Sequence, residues 1–240
     1  MNFIHTYSTD GYIRCIISFL KSLKQFHNED IPVILTLRNV DQDVIEKLHG
    51  MYSSLQIFNK DINYKQVASS MGISVKEYKA SKKVFECRDT TPRSYGKHNL
   101  LYKQYISVND RYRESIKEAL DVCKKDDILI HFDADTIIKN NISEMINYMN
   151  NYDICIKIRP DASIDRKVLG SLISFKVNKK SNLFLDRWIK YIDDVPLLER
   201  PKKYGQTSFY YAYRDLKYDI RFGDLSKFDH FIKKSYKRIK

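Results

Sequence analysis

ILIHFDADTII (128–138) opens as an apolar strand and runs straight into two aspartates, Asp133 and Asp135, separated by one alanine. Ile128, Leu129 and Ile130 read as a buried strand that leaves the core at about Phe132. Aspartate is depleted in strands and costly to bury without a partner, so two of them at a strand's exit point to a cation or a phosphate. Strand alternation would aim both carboxylates the same way. Held so close, they repel unless a proton or a divalent ion neutralises them. A hard cation bound by one or two carboxylates plus diphosphate oxygens meets that need.

Working outward, apolar runs and helical periodicities alternate. NFIHTY (2–7) predicts a strand, ended by the turn-forming STDG, and Ile13, Ile16, Ile17, Leu20 and Leu23 recur at helical spacing over about 12–26. IPVILTL (31–37) predicts a second strand, 41–52 a helix and LQIF (55–58) a third strand. This β-α-β-α-β opening argues for a mostly parallel central sheet flanked by helices. Residues 60–96 are polar and mixed, with helix expected near 63–80 and a loop through 88–96. Helices follow at 97–108 and 110–124, the aspartate-bearing strand at 127–132, a helix at 142–150 and a strand at 152–158. GSLISFKVN (170–178) reads as strand, 181–193 and 205–216 as helices, and KYDIRF (217–222) as a last strand. No linker or repeat interrupts the pattern, which predicts a single α/β domain over 1–240. Ligands of such sheets bind at the carboxyl ends of the strands, so STDG and DAD are expected to share one rim.

Composition narrows the partners. Among 240 residues the formal charge is +12, which favours an anionic partner such as a nucleotide, a nucleic acid or an acidic membrane. Lys233, Lys234, Lys237, Arg238 and Lys240 make 231–240 a basic tail able to touch anionic lipid headgroups. Cys15, Cys87, Cys123 and Cys155 have no zinc-ligand spacing, and reduced thiols in a cytoplasmic chain are the simplest account. CIISFL (15–20) is far short of the roughly 20 apolar residues needed to span a bilayer.

The segment ILIHFDADTIIKNNISEMI resembles the metal-binding segment of GT-A, DxD-containing glycosyltransferases, particularly the glycogenin-like and lipopolysaccharide galactosyl- and glucosyltransferase type. TYSTDGYIRCIISFLKSL is similar to their first strand, nucleotide-contacting loop and first helix. GSLISFKVN, FLDRWIKYI and DHFIKK are similar to later segments. The resemblance implies a GT-A-like, Rossmann-related fold. It implies an enzyme that moves a hexose from a nucleotide diphosphate sugar, UDP-sugar favoured, to a glycan or lipid-linked hydroxyl acceptor, with Mn²⁺ or Mg²⁺ as cofactor. It further implies Asp133, Asp135 and His230 as metal ligands, and Tyr7 stacked on the base with Thr9 and Asp10 nearby. Asp133 would also lie against the ribose. Arg93 or Lys97 would contact phosphate or sugar, Gln206 would act at the reacting centre, and Lys233 or Lys234 would neutralise the departing diphosphate. Gly205 departs from the pattern, standing where such enzymes place an acid before Gln206; Asp161, Asp165, Asp186 and Glu199 are possible substitutes. His131, inside the strand, is expected to pack or hydrogen-bond rather than bind metal.

Two other readings start from the same residues. Haloacid-dehalogenase-like phosphatases carry an apolar strand followed by DxDx[TV], which DADTI approaches with Ile137 at the last position, and GDLSKFD (223–229) fits their later acidic motif. Against this, about 130 residues of α/β pattern precede the aspartates. A basic nucleic-acid-binding protein would use the charge and the 18 tyrosines, but no reader motif is present.

Overall fold

The computed structural model describes residues 1–9, 12–28, 30–38, 40–60, 112–164, 167–194 and 206–234, with positions 69, 74 and 76. The opening is β1 (Asn2–Thr9), α1 (Ile13–His27), β2 (Val33–Arg38), α2 (Gln42–Met51) and β3 (Leu55–Lys60). A helix through 112–122, α3, precedes β4 (Ile128–Phe132) and β5 (Thr136–Ile138). Then come α4 (Ser143–Met149), β6 (Ile154–Ile158), β7 (Val168–Lys176), α5 (Lys179–Asp193) and α6 (Gln206–Leu216). The described chain closes with β8 (Phe222–Asp224), a 3₁₀ turn at Ser226–Phe231 and β9 (Ile232–Lys234).

Seven strands form one sheet in the order β3-β2-β1-β4-β7-β6-β8. β1, β2, β3 and β4 pair in parallel, β6 pairs with β8 in parallel, and β7 alone runs against both its neighbours. The mostly parallel α/β sheet expected from the alternating pattern is therefore present. Every residue of β2 and of β4 is buried, as strands covered on both faces must be.

Alternation along the strands divides the core in two. Ile4, Val33, Leu35, Leu37, Ile128, Ile130 and Phe132 face α1, α2 and α4, where Ile16, Phe19, Leu20 and Leu23 form the buried stripe of α1. Ile34, Leu129, Ile154, Ile156, Ile173 and Phe175 face α3, α5 and α6, around Phe184, Trp188 and Phe209. Each such large apolar side chain contributes roughly 1.5–3 kcal/mol on burial. α1 is also tied to the chain beyond the aspartates. The Ser22 hydroxyl accepts from the Ile138 N–H at 3.0 Å, and His27 Nε2 accepts from the Ile142 N–H at 3.0 Å.

The structure adds one strand and corrects two expectations. Thr136–Ile138, which the alternating pattern left unassigned, is a strand, because its backbone finds a partner in β9. The last strand is not 217–222: α6 is followed by a turn at 217–219, and pairing with β6 begins only at Phe222. The start of the expected basic tail is ordered structure, with Phe231 ending a 3₁₀ turn and 232–234 forming β9; residues 235–240 lie outside the described residues. The expected helices at 63–80 and 97–108 and the loop at 88–96 also fall essentially outside them.

Gly223 of β8 sits opposite Cys155 in a place too narrow for a side chain. A Cβ there would come within 2.7 Å of the Tyr152 ring and 2.8 Å of Cys155 Sγ. Gly223→Ala is expected to lower stability by about 1–3 kcal/mol in urea denaturation, as overpacking does. Gly50→Ala, on α2 with nothing within 4 Å of the new atom, is expected to leave stability unchanged or raise it by up to about 1 kcal/mol.

Candidate active site at the strand-end rim

The aspartates do not continue the alternation of β4. Residues 133–135 form a turn closed by a hydrogen bond from the Thr136 N–H to the Asp133 carbonyl at 3.0 Å, while the Asp133 N–H donates to Ser171 of β7 at 3.1 Å. Both side chains are partly exposed, Asp133 by 39%, and Ala134 between them is buried. The turn thus presents two carboxylates while keeping its apolar residue inside. Asp135 lies near Cys15 in the first turn of α1, whose thiol is pushed up by burial and then by the Asp135 charge.

β1 and β2 deliver the neighbours. Tyr7 is half-buried; its ring meets Tyr112 of α3 edge-on at 6.3 Å and has the Arg38 guanidinium 5.8 Å from its centroid. Arg38, at the carboxyl end of β2, is buried and held 3.7 Å from Glu118 of α3, which Lys60 also reaches at 2.5 Å. Thr9 is the last residue of β1. Tyr12, placed just before α1, is 46% exposed and is the rim aromatic that sequence reasoning passed over.

Beneath this rim lies a row of polar side chains, of which sequence reasoning singled out His131 but not His5 or Thr36. His5 and His131 are register partners on β1 and β4, both fully buried, with Nδ1 to Nδ1 at 2.9 Å. His5 Nε2 is 3.2 Å from Thr36 Oγ1 of β2, and His131 Nε2 is 3.9 Å from Asp133 Oδ1. Tyr112 packs edge-on against His131 at 4.8 Å and donates its hydroxyl to the Gly170 carbonyl at 2.9 Å. His131 packs and hydrogen-bonds, as expected of it. Burial, then His131 and Arg38, hold the His5 imidazole well below its usual range. No local signal marks this pair, whose members are 126 residues apart and meet only through strand order.

The other expected site residues are placed as follows. Gln206 opens α6, as the resemblance implies, and is half-buried where α6 packs on α5 and β7. His230 is exposed on the 3₁₀ turn, its ring 4.2 Å from that of Phe231. Its neighbour Asp229 pairs with the buried Lys157 of β6. Lys233 is exposed on β9 across from Ile137, and Lys234 stands across from Thr136, one residue beyond Asp135. Asp10, Arg93 and Lys97 lie outside the described residues, as do Asp165, Glu199 and Gly205. Asp186 is engaged with Lys117 at 2.7 Å on the surface.

Among the described residues no three His, Cys, Asp or Glu side chains gather to hold a metal, so Asp133, Asp135 and His230 are not assembled as a ready-made trio. The pair alone has the chemistry of a hard-cation site whose remaining ligands come from phosphate and water. The phosphatase reading fails on topology. β8 lies three strands from β4, about 14 Å at the usual spacing. Asp224 there accepts from the Ile158 and Ser226 N–H groups, and Asp229 is taken by Lys157.

No family model and no curated protein matches the sequence. Solved structures do match. The chain is similar to the apo form of the glycosyltransferase GlyE of Streptococcus pneumoniae TIGR4, with a TM-score of 0.55 at 9% identity over 100% of this chain and 56% of that one. A second GlyE structure gives 0.53 at 10% identity over 95% and 46%. This chain has a GT-A glycosyltransferase fold. The galactosyltransferase LgtC, in complex with donor and acceptor sugar analogues, matches at a TM-score of 0.49 and 11% identity over 88% and 69%. The chain spans about half the length of the GlyE chains, and at these identities the likeness is one of fold. On the GT-A sheet, DAD follows the central strand β4, beside the exit of β1.

Neutral burial of His5 has a pH signature. Its folded pKa lies below the unfolded value near 6.5, so its contribution is complete above pH 6.5 and is lost progressively as the pH falls below it. Urea denaturation at pH 7.5 and 5.5 is expected to show a loss of wild-type stability on acidification that is smaller in His5→Asn.

Proposed function

We propose that this chain is a glycosyltransferase that binds a nucleotide diphosphate sugar at the rim formed by β1, β2 and β4, and passes its hexose to a hydroxyl of a glycan or lipid-linked acceptor. The observation that carries the reading is the turn at Asp133–Asp135: two partly exposed carboxylates on the central strand of a GT-A fold, beside the start of α1. Asp133 and Asp135 would hold a divalent cation, Mn²⁺ or Mg²⁺. Bound there, such an ion supplies charge neutralisation and Lewis acidity at the diphosphate.

The remaining roles belong to the chain's own residues. Tyr7, braced by Tyr112 and Arg38, offers an aromatic surface for the base, with Tyr12 exposed close by in sequence. Thr9 and Asp10 would orient the nucleoside, and Arg93 or Lys97 the phosphates. Gln206, opening α6, would align the sugar, and Lys233 would stabilise negative charge as the nucleotide leaves. UDP is the favoured nucleotide. A nucleic-acid-binding reading is less favoured, since among the described residues Arg38 and Lys60 at the rim are engaged with Glu118 rather than arrayed as a patch.

Incubation with UDP-, GDP- and CMP-sugars and Mn²⁺ is expected to release free nucleotide from one of them, and to stop on adding EDTA. Asp133→Asn and Asp135→Asn should each lower that hydrolysis about 100-fold with little change in melting temperature, the size expected when charge stabilisation at the reacting centre is lost. Full activity in both variants would refute the assignment.

A further inference from the structure

The two buried imidazoles point to a device beneath the proposed donor site. A neutral imidazole has one N–H and one bare nitrogen, so an Nδ1 to Nδ1 contact of 2.9 Å requires one ring to donate and the other to accept. Both rings are fully buried, which disfavours charge on either, and with both neutral two arrangements are possible. If His131 donates to His5, the bare Nε2 lone pair of His131 faces the Asp133 carboxylate at 3.9 Å, which is electrostatically unfavourable. If His5 donates to His131, every polarity agrees. The Thr36 hydroxyl donates to His5 Nε2, His5 Nδ1–H donates to His131 Nδ1, and His131 Nε2–H faces Asp133 Oδ1.

We propose that Thr36, His5 and His131 form a one-way hydrogen-bond relay across β2, β1 and β4 that turns Asp133 Oδ1 inward and leaves Oδ2 for the donor. They are positioning residues. The separation of 3.9 Å exceeds a hydrogen bond, so in this state the relay orients the carboxylate by charge and dipole; a small side-chain rotation would close the contact. Tyr112, edge-on against His131, fixes the ring from the α3 side. Nothing in the relay requires proton transfer. Its role is to fix a tautomer, as the partners of metal-binding histidines do elsewhere.

This inference rests on the reading of Asp133 as part of the donor site, and the experiment has one arm for each. Long-range ¹H–¹⁵N spectra of the full chain labelled on histidine nitrogens, at pH 7.5, read the tautomers directly. The expected result is Nδ1–H with bare Nε2 for His5, and Nε2–H with bare Nδ1 for His131. The reverse pair, or a doubly protonated ring, would overturn the relay whether or not any donor is turned over. In the second arm, Thr36→Val is expected to weaken calorimetric binding of the nucleotide sugar by about tenfold, and Thr36→Ser to restore it, with equal melting temperatures. His131→Phe, which keeps the ring and removes the relay, should weaken binding as Thr36→Val does. Wild-type affinity in Thr36→Val would refute the positioning role; absence of any nucleotide-sugar binding by the wild type would instead refute the function proposed for the site.

Discussion

The hydrogen bond from the Thr136 N–H back to the Asp133 carbonyl sets the geometry of the rim. Without it β4 would run on as a strand, and Asp135 would be carried away from α1. With it, the chain reverses within three residues, buries Ala134, and leaves both carboxylates partly in water. The turn in turn depends on β4 being held on both sides, by β1 in parallel and β7 in antiparallel register. The Asp133 N–H is itself taken by the β7 backbone, so the first acid of the pair is anchored to the strand that runs against its neighbours β4 and β6.

This placement explains how two acids can persist at the edge of a largely apolar core. Each carboxylate is partly solvated, and the Thr36, His5 and His131 side chains beneath are joined by hydrogen bonds. Arg38, a buried cation at the end of β2, is committed to Glu118 and to the Tyr7 ring.

Periodicity made the sheet and its helices readable, because strands such as VILTLR and helices such as α1 carry patterns set by their own neighbours. The acid pair was readable for the same reason: an apolar strand ending in carboxylates is a local contradiction. Three features were hidden. β5 and β9 are three residues each, and their pairing joins segments about 100 residues apart. The path through 133–135 departs from strand alternation because of a backbone bond that sequence does not announce. The His5–His131 contact arises from strand order alone, and a histidine in an apolar run looks the same whether or not a second one faces it.

The ribbon of β5 and β9 also bears on how the protein is made. β4 and its turn leave the ribosome together with β5, but the partner of β5 is encoded at 232–234, nearly a hundred residues later. At translation speeds of roughly 5–20 residues per second, the exit strand waits on the order of 5–20 s with one edge bare. During that interval the acidic turn hangs from a half-finished scaffold, so its final geometry is a late event in biosynthesis rather than a property of the nascent sheet.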